Sequence, residues 1–450
     1  MTLTLAEAKA NARAFLAAGE PAAALATFDH ILAAQPLDDE LRLEIADLLQ
    51  GAGKTAQAAE IYRALSLHLL RTGRPLPAVV AATSLAALGV SIDHVFGVLA
   101  DMYAAGSPCL APFAARPAPL DPAVPLPDLG TEVPDSDGDA FERLAEKATL
   151  RALDLGGHPP YQDQVHPIAF LSELEPDSLR AVLSTLQVRR VAAGVQVVRQ
   201  GEPGTSLFLV ATGQLLVATR LPTGAQRELA RLHENSLFGE MALVTSQPRG
   251  ASVTAVKGSI VLELDRAALD RVRASLPSIE VALGRFTRER LIKNLLATSP
   301  LFTPFTREQQ KQLLQRFEGT EVDAGMTVIR QGEAGLGLYV VLTGDLEVVT
   351  QAETGEAPIV LGQLHPGDIC GEMSLLTDQP TSATVRASSP CTLLFLPRLY
   401  FDRLTEAIPE VKRYFATVAE RRAADNSVRI SVAALPEEPV ELDDSDQILI

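Results

Sequence analysis

Residues 238–252 have the side-chain types and spacing needed to hold a small anion. Arg249 offers a planar guanidinium that stays charged and can donate two parallel hydrogen bonds to the oxygens of a cyclic phosphate. The small residues that allow backbone N–H groups to approach the same oxygens are Gly239, Ala242, Gly250 and Ala251. This segment therefore predicts a site that holds a compact phosphate monoanion out of bulk water.

Glu240, in the same segment, predicts a second contact of a different kind. Its carboxylate would repel a phosphate, but it can accept a hydrogen bond from the 2′-hydroxyl of a ribose. Such a contact favours ribonucleotides over deoxyribonucleotides. Met241 follows in the same candidate site, and Pro248 sets the turn that precedes Arg249.

Residues 370–384 repeat this segment with one change, at the position that matters most for an anion. Gly371 and Glu372 match the first copy, whereas Thr381 replaces the arginine and Ser382 follows it. Two charge-assisted hydrogen bonds, worth about 1.5–3 kcal/mol each, are lost with the guanidinium. Glu372 then adds repulsion without compensation. We expect the second copy to be mainly structural, with a different ligand or a neighbour's surface as the alternative.

The elements that must position both segments are also repeated. Arg199-Gln200-Gly201-Glu202 recurs as Arg330-Gln331-Gly332-Glu333, and Thr212-Gly213 recurs as Thr343-Gly344. Short apolar runs separated by glycines lie between these motifs and predict a small β-barrel or jelly roll in each copy. Helical patterns flank the barrels at residues 176–186, 266–296, 306–317 and 398–424.

Together, these motifs resemble the phosphate-binding cassette of the cyclic-nucleotide-binding family, which includes protein kinase A regulatory subunits, gated channels and the bacterial catabolite activator protein. The resemblance implies that the first barrel binds a cyclic nucleotide through Gly239, Glu240, Met241, Ala242, Arg249, Gly250 and Ala251. The degenerate second site consists of Gly371, Glu372, Thr381 and Ser382.

The identity of the base follows from the same resemblance. Relatives selective for cGMP have a threonine directly after the arginine, where this chain has Gly250, so the resemblance implies cAMP rather than cGMP. In the family, an apolar residue of the helix after the barrel caps the adenine. Leu291 and Leu295 are the candidates for that contact.

The N-terminal region carries a different repeat. Gly19, Ala22, Ala24 and Phe28 recur as Gly53, Ala56, Ala58 and Tyr62. The period of about 34 residues, with small residues where helices cross, resembles a tetratricopeptide repeat. Pro36 closes the first helical pair where that family has proline, but Leu70 replaces the second proline. We predict an α-helical array of two to three hairpins.

Proline-rich sequence separates this array from the barrels, and it cannot maintain helical hydrogen bonds. The predicted fold class is α+β and multidomain. Its segments are a helical array at 1–105, a linker at 106–139, a connecting helix and loop at 140–165, the first barrel at 166–297, the second barrel at 298–424 and an acidic tail at 425–450.

The composition of the chain argues against several classes of partner and ligand. The net charge of −17, without a basic stripe, argues against a nucleic-acid partner. The few distant cysteines and dispersed histidines favour a reducing compartment and no metal site. The start lacks a signal peptide and no apolar run is long enough to span a membrane, so we predict a cytoplasmic protein without a membrane partner. The alanine content fits a GC-rich bacterial genome.

Two features resemble interaction motifs. Arg189-Arg190-Val191-Ala192 is similar to a kinase pseudosubstrate, but its place just before the first repeated motif predicts a barrel strand instead. The acidic tail predicts a disordered end, with docking of its apolar last residues as the alternative.

The sequence contains no recognisable arrangement of a nucleophile, a base or metal ligands, so we do not expect an enzyme. No helix-turn-helix follows the second barrel, so we do not expect a transcription factor. We expect a cAMP sensor and adaptor that relays binding at the first barrel to a protein partner through the N-terminal array. The alternatives are a regulatory subunit of a separate enzyme such as a kinase, and a constitutive scaffold.

Overall fold

The computed structural model of the protein describes residues 3–114, 120–127, 138–156, 163–220, 225–240, 248–276, 278–298, 305–351 and 358–433. The chain divides into two compact units, residues 1–287 and residues 288–450. The first unit contains a helical array and one barrel, and the second contains the other barrel. The predicted α+β class, helices followed by two barrels, is confirmed.

The array consists of six helices: Leu5–Ala17 (α1), Pro21–Ala34 (α2), Asp39–Gly51 (α3), Thr55–Arg71 (α4), Pro75–Ala87 (α5) and Asp93–Tyr103 (α6). Local sequence sets where they begin. Thr4 and Glu7 form a capping box at α1, and the Asp38 side chain accepts a hydrogen bond from the Leu41 N–H at α3.

The repeated residues of the array lie in its core. Ala24, Phe28, Ala58 and Tyr62 are fully buried. The small residues allow neighbouring helices to approach closely, and the aromatic rings fill the space one turn further on. The predicted helices are confirmed, whereas their assignment to the tetratricopeptide family stays a prediction.

A seventh helix, Gly138–Leu153 (α7), packs against α2, α3 and α4. Buried Arg42 holds its end, because the guanidinium donates hydrogen bonds of 3.1 Å to the Ala152 carbonyl and 2.7 Å to the Asp154 carbonyl. Buried Asp29 pairs with Lys147 at 2.9 Å and also with Arg151. One face of the array is therefore covered by the chain itself.

The described part of the proline-rich segment is non-helical, as predicted, but it runs along the array. The Leu5 N–H donates a 2.9 Å hydrogen bond to the Val124 carbonyl, and the Leu126 N–H donates one of 2.8 Å to the Leu3 carbonyl. Leu126 is fully buried. This stretch thus contributes to the core of the first unit.

The first barrel follows a 3₁₀ turn, Ala169–Glu173, and helix α8, Pro176–Leu183. Its strands are Gln187–Val191 (β1), Gln196–Val198 (β2), Ser206–Thr212 (β3), Leu215–Arg220 (β4), Gln226–Leu232 (β5), Leu237–Phe238 (β6), Ser252–Ala255 (β7) and Ser259–Asp265 (β8). They form two four-stranded antiparallel sheets, in the orders β1-β8-β3-β6 and β2-β7-β4-β5. Strand β3 is buried along its whole length, as its continuous apolar sequence predicts.

The second barrel repeats this topology. Its strands are Glu318–Val322 (β9), Thr327–Ile329 (β10), Gly337–Thr343 (β11), Leu346–Thr350 (β12), Ile359–Leu364 (β13), Ile369–Cys370 (β14), Thr384–Ala387 (β15) and Cys391–Pro397 (β16). The sheet orders are β14-β11-β16-β9 and β10-β15-β12-β13. The two repeats of the sequence are thus two copies of one fold.

The flanking helices differ from the sequence pattern in two respects. Each long helical run after a barrel is two helices, Arg266–Ser275 (α9) and Ser278–Thr298 (α10) after the first, and Arg398–Ala407 (α13) and Pro409–Ala433 (α14) after the second. Pro409 begins α14 because proline lacks the N–H that would continue α13. Helix α14 also continues past residue 424, the end of the predicted pattern.

Helices Arg307–Leu314 (α11) and Glu372–Thr377 (α12) complete the second unit. The boundary between the two units falls within α10. No helix in the described part of the chain is long and apolar enough to cross a lipid bilayer.

Candidate functional site

Arg249 is positioned by the first repeated motif. Its backbone N–H donates a 2.8 Å hydrogen bond to the Glu202 carbonyl, and the Gly201 N–H donates one of 2.8 Å to the Arg249 carbonyl. These reciprocal bonds fasten the segment before β7 to the turn after β2. The repetition of this motif in both copies therefore has a structural cause, because residues 199–202 hold the candidate phosphate-binding residue in place.

The guanidinium of Arg249 points into the barrel wall. It is 9% exposed and donates hydrogen bonds of 2.5 Å to the Gly239 carbonyl and 2.6 Å to the Ser206 carbonyl. Its central carbon lies 6.0 Å from the centre of the Phe208 ring. Burial lowers the pKa of Arg249, and the nearby carboxylate of Glu240 opposes that shift. The site thus holds a preorganised positive charge.

Gly239 is required by this geometry. Its φ of +83° lies in the left-handed region, and a Cβ atom there would be 2.7 Å from Nη1 of Arg249 and 3.1 Å from the Ser206 carbonyl oxygen. Gly250 differs, because a methyl group at that position would meet no described atom within 4 Å. Only the first of these glycines is therefore needed for packing of the guanidinium.

Glu240 is 3% exposed and follows Gly239 directly. Ala251 is half-buried, two residues after Arg249 in the chain. Met241 and Ala242 lie outside the described residues. The structure thus brings Gly239, Glu240 and Arg249 together, and the contact of Glu240 with a ribose stays a prediction.

The two candidates for the adenine cap are less well defined. Leu291 is buried and belongs to the second compact unit. The side chain of Leu295 lies outside the described residues. Their role as a cap stays a prediction.

The second barrel keeps the backbone frame of the first. The Gly332 N–H donates a 2.8 Å hydrogen bond to the Thr381 carbonyl, and the Thr381 N–H donates one of 2.9 Å to the Glu333 carbonyl. The Thr381 hydroxyl donates a 2.5 Å hydrogen bond to the Arg330 carbonyl and lies 3.1 Å from the same Glu333 carbonyl oxygen. Its donor is therefore used within the protein, and the adjacent Ser382 is exposed.

A cavity of about 40 Å³ marks the place of the lost guanidinium. It is lined by Gly337, Gly371 and Thr381, which match Ser206, Gly239 and Arg249 of the first barrel. Thr381 is smaller than the arginine at the matching position of the first barrel, and the space beside it is not filled by other side chains.

The expectation that Glu372 is uncompensated was wrong. Nη1 of Arg422 donates hydrogen bonds of 2.7 Å to Oε1 of Glu372 and 2.7 Å to the Ile369 carbonyl. Arg422 lies on α14, which packs against α12. The ion pair joins residues distant in sequence, so the repeat alone did not reveal it. The sequence did contain a signal for Arg422. Arg290 follows Pro277 in the first copy by the same number of residues as Arg422 follows Pro409 in the second.

A larger cavity, of about 470 Å³, lies between the second barrel and α14. Its lining includes Cys370, Glu372, Val385, Tyr414, Arg421 and Arg422. Burial raises the pKa of the Cys370 thiol, and the carboxylate of Glu372 acts in the same direction. The cavity therefore combines an apolar wall with an ion pair and is large enough for a small molecule.

Other sequence features have structural roles. Arg189 and Arg190 lie on β1, as predicted, where Arg189 pairs with Glu263 at 3.0 Å and Arg190 pairs with Asp47 at 2.5 Å. Cys370 and Cys391 are buried free thiols. Among the described residues, no group of three or more His, Cys, Asp or Glu side chains is arranged to hold a metal ion.

Comparison with known proteins also finds a repeated domain in this chain. The model of the cyclic nucleotide-binding domain matches residues 188–275 and 320–407. A cAMP-dependent protein kinase regulatory subunit of Blastocladiella emersonii is 29% identical over 53% of this chain and 57% of its own length. A cGMP-dependent protein kinase of Caenorhabditis elegans is 27% identical over 59% of this chain and 33% of its own length.

Among solved structures, the regulatory domain of Toxoplasma gondii protein kinase A with cAMP is similar, with 25% identity, a TM-score of 0.28, and coverage of 56% of this chain and 92% of that one. The chain spans little more than half the length of the Blastocladiella relative. The two domain matches coincide with the two barrels and their cassettes. The chain therefore carries two tandem cyclic-nucleotide-binding domains and belongs through them to the cyclic-nucleotide-binding superfamily.

Proposed function

We propose that this protein is a sensor of cyclic nucleotides, with cAMP as its ligand, that binds through the first barrel and acts on a protein partner rather than by catalysis. The observation that carries the proposal is the buried guanidinium of Arg249 beside Gly239 and Glu240. Phosphate oxygens would replace the carbonyl partners of a charge that is already in place. Gly250 after the arginine favours cAMP over cGMP by resemblance to the family.

Relay from the barrel to the array is supported by their shared core in the first unit. Apolar residues of α4 and α5 belong to the same buried cluster as Leu207 and Leu209 of β3. Arg74, at the start of α5, pairs with Glu234 at 2.7 Å. Glu234 lies shortly before β6, which leads into Gly239. A movement of the cassette could therefore be transmitted to the array through β6, Glu234 and Arg74.

The array is the proposed surface for the partner. Because α7 covers part of α2, α3 and α4, a partner must use another face of the array or displace α7. Pull-down with the full-length protein, with and without cAMP, tests this relay. Bound proteins that do not change with cAMP would contradict it.

Titration calorimetry with cAMP and cGMP tests the ligand. Wild type is expected to bind cAMP more tightly than cGMP, and Arg249→Ala is expected to lose affinity by about 100-fold or more, since two charge-assisted hydrogen bonds disappear. Thr381→Ala is the matched control at the second barrel and should bind like wild type. Absence of heat with both nucleotides in wild type would contradict the proposal that the protein is a cyclic-nucleotide sensor and would favour a constitutive scaffold.

A second candidate is a regulatory subunit of a separate kinase, which the printed name of the Blastocladiella relative favours. Arg190 lies on β1 and pairs with Asp47 of α3, which argues against use of residues 189–192 as a pseudosubstrate. A co-purifying kinase whose activity changes on addition of cAMP would support this candidate over the adaptor.

A further inference from the structure

The cavity of about 470 Å³ between the second barrel and α14 has the size of a binding pocket but an unsuitable cassette for a phosphate. Thr381 offers no cation, so an occupant must gain most of its binding free energy from apolar contacts. The cavity provides these through a wall of aliphatic side chains from the barrel and from α14, namely Ile329, Val348, Leu361, Leu364, Val385 and Val418.

Two of the three carboxylates that line this cavity are already engaged within the protein. Glu372 is 2% exposed and pairs with Arg422 at 2.7 Å. Oδ2 of Asp368 accepts a 2.8 Å hydrogen bond from the His365 N–H. These two negative charges therefore do little to repel an acidic occupant.

The last turns of α14 give the cavity an exposed and more basic side. Arg421 is 85% exposed and lies 4.0 Å from Asp425, the third carboxylate. Arg429 also lines the cavity and is exposed, and in the described part of the chain it forms no ion pair. Val428 and Ile430, beside it in the sequence, are exposed apolar residues. This side of the cavity complements a segment that combines acidic and apolar side chains.

The sequence that follows α14 has this combination. Residues 434–450 lie outside the described residues. Six of them, between Glu437 and Asp446, are acidic and none is basic, and Ile448, Leu449 and Ile450 follow. A chain that returned along α14 would bring its acidic residues to the exposed arginines first and its apolar residues to the aliphatic wall afterwards.

The segment is long enough for this path. At 1.5 Å per residue, the part of α14 from Ala433 back to Tyr414, which lines the cavity, measures about 28 Å. Residues 434–447 span up to about 46 Å when extended at 3.3 Å per residue. The remaining length allows for the turn at the end of the helix.

We propose that residues 435–450 fold back along α14 and occupy the cavity of the second barrel, with their acidic side chains beside Arg421 and Arg429, and Ile448 and Leu449 against the aliphatic wall. The protein's own chain, and not a nucleotide, then closes this barrel. The contact does not depend on binding at the first barrel. A short tether gives an effective concentration of about millimolar, so even a contact that is weak between separate molecules forms within one chain.

A labelled peptide of residues 435–450 tests this contact by fluorescence anisotropy. The peptide is titrated into the full-length chain and into a chain shortened to residues 1–434, which keeps every helix and strand that the structure describes. It should bind the shortened chain at least about tenfold more tightly, because the tethered segment competes for the cavity in the full-length chain. Equal affinity for the two chains, or no binding to the shortened one, would overturn the proposal.

Variants of the shortened chain test whether the peptide reaches the cavity. Arg421→Glu with Arg429→Glu should weaken binding by about tenfold or more. Arg403→Glu with Arg413→Glu is the matched control, because both residues are exposed arginines of the same two helices that do not line the cavity. Equal weakening by the two pairs would show that net charge alone attracts the peptide and would contradict the proposal.

A second peptide tests the apolar part of the contact. With Ile448→Ser and Leu449→Ser, the peptide should bind the shortened chain at least about tenfold more weakly, since two aliphatic side chains are no longer buried. An unchanged affinity would mean that these residues do not enter the cavity.

Two measurements exclude other occupants. Sedimentation should give the full-length and shortened chains the same oligomeric state, whereas a dimer lost on shortening would assign the cavity to the segment of a second copy. Calorimetry with cAMP on full-length Arg249→Ala should show no binding at the second barrel. Binding there that is as tight as in shortened Arg249→Ala would show that the cavity is open to nucleotides. Either contrary result would overturn the proposal.

Discussion

Nη2 of Arg249 lies 2.6 Å from the carbonyl oxygen of Ser206 on β3, an inner strand of its sheet that is buried along its length. The candidate phosphate-binding side chain is therefore bonded directly to the core of its barrel. The matching position in the second barrel, Gly337, lines a cavity instead. The difference between the barrels is thus one of charge and of packing.

Gly239→Ala should weaken cAMP binding by about tenfold or more and lower the stability of the first unit by about 1–3 kcal/mol. The added methyl would lie 2.7 Å from Nη1 of Arg249 at a left-handed φ. Calorimetry and urea unfolding measure the two effects. Gly250→Ala is the control for stability, since its methyl meets no described atom within 4 Å. Equal losses of stability in the two variants would contradict the steric argument.

Gly344→Ala should destabilise the second unit by about 2 kcal/mol or more. Gly344 has a φ of +78°, and a Cβ there would lie 2.4 Å from the Pro390 carbonyl oxygen. Gly362→Ala, in β13 of the same barrel, has no described atom within 4 Å and should cost much less. Urea unfolding of the full chain compares the two. A similar midpoint for both would show that the Thr-Gly motif is not required by close packing.

Glu234→Gln should destabilise the junction between the array and the first barrel by about 1–3 kcal/mol, because it removes the nearest of three carboxylates around the largely buried Arg74, which keeps Glu40 at 3.6 Å and Asp39 at 3.8 Å. Hydrogen exchange in α5 and β6 should increase. Glu228→Gln breaks the exposed pair of Glu228 with Arg231 and should change stability by less than about 1 kcal/mol. If both variants exchange alike, the pair at Arg74 does not fasten the array.

Cys370 should make the second unit less stable at alkaline pH. Burial raises the pKa of its thiol in the folded protein above the ordinary value of 9.0. Unfolding therefore releases a proton once the pH exceeds that value, so this contribution is complete below pH 9 and is lost as the pH rises. The stability difference between wild type and Cys370→Ala should shrink by up to about 1.4 kcal/mol per pH unit.

Urea unfolding in the presence of a reductant, at about pH 8 and about pH 10 on either side of the ordinary thiol pKa, measures that difference. The expected direction is a larger fall for wild type than for Cys370→Ala. A parallel fall in both proteins would mean that the thiol does not contribute.

Much of the fold was predictable because its signals are local. Apolar runs separated by glycines indicated two barrels, and helical spacing indicated the array. Helix ends were less predictable where a run continued across a proline, as at Pro409, since periodicity persists while the hydrogen bonding is interrupted. The docking of the proline-rich stretch through Leu126 was missed for a similar reason, because its contacts are with the distant N-terminal end of the array.

The sequence by itself determined that one cassette has Arg249 and the other Thr381, and hence that the two barrels differ in their capacity to hold a phosphate. These are properties of residue type and spacing within one short segment. Only the tertiary structure decided that Glu372 is paired with Arg422 and that Arg74 fastens the array to Glu234. Such pairs join distant parts of the chain, and no local pattern specifies which charges meet after folding.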